Sequence, residues 1–118
     1  MLNNAYMDTL EDDQQDARAR EQEVFSEAIR LIEEAGSNPA SATARAMAIH
    51  HNIRMWSFFM EDLAKPDNQC TKEFKAGFIS VGIFVLKHLQ SMRLQPDMGF
   101  GAVREINETM LKGLGGPK

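Results

Sequence analysis

The sequence predicts an all-α protein, a small bundle of three to four helices, and three observations predict it. Apolar residues recur at steps of three and four through most of the chain. Residues that open or close helices stand at the ends of these stretches: Pro39 and Thr71 at starts, Gly36 and Pro66 at stops. The length of 118 residues, 43% apolar and 25% charged, suits one folded domain spanning 1–118 with a core of its own.

Each element follows from local pattern. Residues 1–13 read as a loose arm ending in the acidic run Glu11-Asp12-Asp13. A first helix is expected from about Gln14 to Ala35, with Val24, Ala28, Leu31 and Ala35 on one apolar stripe and Phe25, Ile29 and Ile32 widening it. Gly36 stands where a left-handed cap closes such a helix. Asn38-Pro39 then offers a capping side chain followed by a residue suited to the first turn. The second helix carries the seam Ala42, Ala46, Ile49, Ile53, Trp56, Met60, Leu63 and stops before Pro66.

Thr71 caps a third helix, about Lys72 to Leu94, which is apolar almost all round and so reads as the central helix of the bundle. Its β-branched run suggests a strand, but its length and lack of turn residues favour helix. Gln95-Pro96-Asp97 ends it. A short fourth helix, Ala102 to Lys112, turns Val103, Ile106 and Met110 inward, and residues 113–118 form a frayed tail.

Composition excludes several classes of function. Cys70 is the only cysteine, so neither an internal disulfide nor a thiolate zinc cluster is expected. Nothing requires an oxidising compartment, and the first thirteen residues hold no apolar signal region, so the cytoplasm is the expected location. The longest apolar run, Ala76 to Leu86, is about half the roughly 20 residues of a spanning helix, and no membrane segment is expected. The formal charge of −4 is uneven: residues 1–38 hold ten acids against three Arg, and residues 39–118 hold seven acids against ten Lys or Arg. The basic residues are scattered singly, which argues against direct nucleic-acid contact.

No constellation carries chemistry. His50 and His51 are neighbours on a helix, about 100° apart, and no further ligand pattern supports a metal. Gly99-Phe100-Gly101 follows no strand and reads as a linker rather than a phosphate loop. Ser57, His51 and Asp62 share one helix with nothing to fix a triad. The chain reads as a non-enzyme with no catalytic residue, metal or cofactor.

What remains is apolar surface. Met47 and Phe58 fall in the polar half of the second helix, Met55 at its border, and Phe84 in the polar strip of the third. Two readings stand for each: an ordinary exposed hydrophobe, or part of a groove for a partner's apolar helix, a role that suits methionine. Trp56 lies mid-seam and reads as core, its indole N–H reaching a polar group. Asn107 lies on the apolar side of the last helix, to be satisfied internally or by a bound ligand.

These residues resemble a known family. Asn4-Ala5-Tyr6, then Asn52, Arg54, Met55, Trp56, Asp62, Leu63 and Asn68, then Lys75-Ala76 opening an apolar helix, and finally Ile106-Asn107, Met110 and Gly113-Leu114 occur in the order of the FlaF family, over nearly the whole chain. Cys70-Thr71 stand where that family tends to have Leu-Pro, and Phe74-Lys75 where it has Leu-Arg. The resemblance implies a cytoplasmic protein that promotes flagellin production and export as a flagellin-specific chaperone, or alternatively a post-transcriptional regulator of flagellin translation that acts with the translational regulator FlbT or on flagellin mRNA. On that footing Tyr6, Met47, Met55, Phe58, Phe84, Asn107 and Met110 are the candidate partner-binding residues. Asn52, Arg54, Trp56, Asp62, Asn68, Gly113 and Leu114 are the family-motif residues expected to hold the structure.

Overall fold

Two hydroxyls set the starts of the middle helices. Ser41 Oγ accepts from the Ala44 N–H at 3.0 Å, and Thr71 Oγ1 accepts from the Phe74 N–H at 3.1 Å. Each satisfies an amide that the first helical turn leaves without a partner. In the computed structural model, which describes the backbone of residues 3–114 and the side chains of residues 16–114, four helices follow: α1 (Asn3–Ser37), α2 (Ala42–Ala64), α3 (Lys72–Leu94) and α4 (Gly101–Gly113). No strand occurs among the described residues. The architecture is the small all-α bundle that periodicity predicts.

Two boundaries differ from expectation. α1 begins at Asn3 rather than near Gln14, so the stretch read as a loose arm has helical backbone from residue 3. Residues 3–35 contain neither Pro nor Gly, and nothing in them stops a helix once formed. At the other end Gly36 lies inside α1 and takes no left-handed conformation. Asn38 closes this helix instead of opening the next: its backbone N–H reaches Glu34 O at 3.1 Å and its side-chain amide reaches the same oxygen at 3.0 Å. The cap of α2 is Ser41, three residues later.

Connections of four, seven and six residues make successive helices antiparallel. α2 packs on α1 by one flank and on α3 by the other, α4 packs on α1, and α3 touches α4 lightly. α1 and α2 are thus each packed on two sides. α3, expected at the centre, is an outer helix, and Phe74, Ile83, Phe84 and Leu94 stay exposed on it. That packing also turns α2. Ala48, Ile49, Asn52, Met55, Trp56 and Leu63 are buried, whereas Ala42 and Ala46 of the predicted seam are exposed. The buried face is centred about 60° round from that seam, toward α1.

Aromatic rings from three helices fill the middle. Phe25 meets Trp56 edge-on at 6.0 Å between centroids and stacks on Phe59 at 5.3 Å, and Trp56 stacks on Phe78 at 5.0 Å. Such pairs contribute about 0.5–1.5 kcal/mol each beyond the area they remove from water. Gly82 on α3 admits Met60, whose thioether fills the space a Cβ would take.

A chain of amides crosses this core. The Trp56 indole N–H donates to Asn107 Oδ1 at 3.0 Å, Asn107 Nδ2 donates to Asn52 Oδ1 at 2.8 Å, and Asn52 Nδ2 donates to Ala48 O at 2.8 Å. Both asparagines are fully buried, so every bond in the chain offsets a desolvation cost. α4 is further held to α1 by the Arg104–Glu33 ion pair at 2.7 Å and by the Gln22 side chain donating to Leu114 O.

Candidate binding groove

Adjacent residues on a helix point about 100° apart, so Phe58 and Phe59 cannot both enter the core. Phe59 goes in, stacked on Phe25, and Phe58 is left 62% exposed with its ring edge-on to Phe59 at 5.7 Å. On the same side of α2, eleven residues earlier, Met47 is 55% exposed. An open groove of about 840 Å³ runs between α1 and α2 and joins these two side chains to Val24 and Leu31 of α1. Met55 lines its floor.

The register of the two helices orders the rest. Asn52 reaches the Ala28 carbonyl at 3.5 Å, which sets the middle of the antiparallel pair. Ala17, Glu21 and Asp62 therefore share one end, and Arg30, His50 and Met47 share the other, with Arg54 between. Burial raises the Glu21 carboxyl above its ordinary range; Arg18 opposes this, and the charge of Asp62 adds to it. Glu27, in contrast, is lowered by the hydrogen bond from Arg30, which spans Glu27 and Glu34 on the outer rim. His51 Nε2 is buried at the groove and makes no hydrogen bond.

The candidate residues separate in space. Met47 and Phe58 stand in the groove together with the motif residues Arg54 and Asp62. Met55 is only 4% exposed, because the rotation of α2 carries it under α1, and it belongs to the core. Asn107 is buried in the amide chain and offers nothing to a ligand at the surface. Met110 is half-buried against the core on α4. Phe84 is exposed, but it lies on α3 beside the His88 ring at 5.9 Å, away from the groove. The Tyr6 side chain lies outside the described residues.

Of the remaining motif residues, Asn52 and Trp56 belong to the buried amide chain, and the others hold ends and turns. Asn68 donates to Asp62 Oδ2 at 3.4 Å and accepts from the Cys70 N–H at 2.9 Å, bracing the connection from α2 to α3. Gly113 ends α4, and the Leu114 N–H returns to Met110 O and Leu111 O, each at 3.1 Å. Val24 is the groove residue that periodicity hides: it sits on the apolar stripe of α1, yet 37% of it is exposed at the stripe's edge. His88 is half-buried and its Nε2 lies 3.1 Å from Gly99 O.

Among the described residues no group of three or more His, Cys, Asp or Glu converges to hold a metal, and no helix is long and apolar enough to cross a membrane. The geometry is that of a surface that can seat a helix: apolar anchors along its length, charged rims and a buried, unpartnered imidazole nitrogen. No curated protein and no solved structure gave a significant match to the chain. The model of the family described as flagellar protein FlaF matches residues 2–114, nearly all of the sequence, and the chain belongs to that family.

Proposed function

We propose that this protein is a flagellin-binding chaperone of the cytoplasm that promotes flagellin synthesis and export by holding an amphipathic flagellin segment in the α1–α2 groove. The observation that carries the reading is the pairing of exposed Phe58 and Met47 along one groove of a flagellar-family protein. Terminal flagellin segments polymerise when they meet. A groove that covers their apolar face keeps them apart until secretion, in the helix-in-groove mode of recognition. The protein acts by contact and catalyses no reaction. In this reading any effect on translation passes through a protein such as FlbT, since the scattered basic residues offer no footprint for RNA.

Co-purification with full-length flagellin, and with flagellin lacking either terminal segment, tests the proposal. Full-length flagellin is expected to bind at micromolar concentration and one truncation to abolish binding. Phe58→Ser is expected to lose binding with its melting temperature unchanged, while Phe84→Ser keeps both. Failure of full-length flagellin to bind overturns the reading.

A further inference from the structure

We propose that a second copy of this chain covers the outer face of α3, each protomer laying the overhanging first turns of its α1 along its partner's α3. The proposal is independent of the flagellin-binding reading, which uses the α1–α2 groove.

The overhang follows from register. Asn52 of α2 meets Ala28 of α1, so Ala64, the last residue of α2, lies level with about residue 16 of α1. α4 ends lower still, where Leu114 accepts from the Gln22 side chain. α1 nevertheless begins at Asn3, so about thirteen residues, or about 20 Å of helix, run past both neighbours. The molecule is accordingly 61 Å long, although α2 and α3 each span only about 35 Å. Among the described residues α1 does not touch α3, so the overhang does not cover the α3 of its own chain.

Charge supplies the occupant. From Asn3 to Asp16 the overhang holds five acids (Asp8, Glu11, Asp12, Asp13 and Asp16) and no Lys or Arg, so two overhangs repel each other. α3 is the opposite, with Lys72, Lys75, Lys87 and Arg93 against Glu73 alone, and none of the four bases is in an ion pair among the described residues. Lys72, Ala76, Ser80, Ile83 and Lys87 follow one another at helical steps and are all exposed, with Phe84 exposed beside them. This stripe of about 22 Å matches the overhang in length and opposes it in charge.

Reciprocal docking closes a two-fold dimer with the bundles end to end. Each overhang leaves its bundle at the end where α3 begins, and so runs antiparallel along the partner's α3. With Asp16 level with the partner's Lys72, Asp13 comes level with the partner's Lys75. Tyr6, Met7 and Leu10, which share one helical face by their spacing, then lie along the apolar stretch that ends in Ile83 and Phe84.

Sedimentation equilibrium of the full chain over about 5–200 μM tests this. The parent is expected to form a dimer that weakens about fivefold or more between low and high salt. A variant with Asp12→Lys and Asp13→Lys, and another with Lys72→Glu and Lys87→Glu, are each expected to stay monomeric with helical circular dichroism unchanged. Mixed in equal amounts, the two are expected to associate with each other, since each overhang then meets an α3 of opposite charge. A parent that is monomeric throughout, a dimer that survives both charge reversals, or a mixture that does not associate overturns the proposal. So does an acidic-to-basic variant that dimerises by itself. None of these outcomes bears on flagellin binding, which Phe58→Ser tests separately.

Discussion

The indole N–H of Trp56 and the side-chain oxygen of Asn107, 51 positions apart in sequence, meet at 3.0 Å where neither residue touches water. The bond ties α2 to α4, two helices that sit diagonally in the bundle. Trp56→Phe is expected to leave Asn107 Oδ1 unsatisfied and to lower unfolding stability by about 1–3 kcal/mol. Asn107→Ala is expected to cost more, since it strands both the Trp56 donor and the Asn52 acceptor. Urea titrations of the two variants and of the double variant measure this, and a coupling near zero between the sites counts against the bond.

The helix caps make a second prediction. Ser41→Ala and Thr71→Ala are each expected to cost about 1 kcal/mol, the usual loss on removing a capping hydroxyl. Asn38→Ala, at the site that sequence favours as the cap of α2, removes a bond at the end of α1 and is expected to cost less. Thermal melts of the three variants rank them. If Asn38→Ala proves the most damaging, α2 starts earlier than Ala42.

Met55 and Phe58 are three residues apart and are expected to respond in opposite ways. Met55→Ala opens a cavity under α1 and is expected to cost about 2–5 kcal/mol, whereas Phe58→Ala removes an exposed ring and is expected to stay within about 0.5 kcal/mol of the parent. Chemical denaturation of both, beside a flagellin-binding assay, separates fold from surface.

Glu21 gives a dependence on pH. Burial raises its carboxyl pKa in the folded state, so folding favours the protonated form. The associated stability is present in acid and is lost as pH rises through the raised folded value. Glu21→Gln is therefore expected to be slightly more stable than the parent at pH 7, by less than about 0.5 kcal/mol after solvent screening, with the gap closing below the usual value of 4.5. Melting temperatures at pH 4 and pH 7 test it, and a larger benefit at the acidic value refutes the sign.

Much of this was legible in the residues themselves. Thr71 marked the start of α3, and the three-four spacing marked all four helices. Periodicity says which side of a helix is apolar, but it does not say which neighbour that side will meet. So α3, apolar nearly all round, looked central, while α1 and α2, with ordinary stripes, turned out to be the helices held on two flanks. The same ambiguity moved Met55 inward and Val24 outward, since each lies at the border of its stripe. Trp56 and Asn107 could each be seen to need a partner. That they are each other's partner depends on how α4 folds back, and no local pattern records that.

The division of labour between Phe58 and Phe59 reaches beyond one molecule. The side chain at 59 must fill a space bounded by Phe25 and Phe78, and almost any change there disturbs the fold. The side chain at 58 is left largely outside the core, and under the proposed function it answers to what docks on it. Two neighbouring codons thus stand under unrelated constraints, one set by the bundle and the other, under the proposed function, by the surface of a partner.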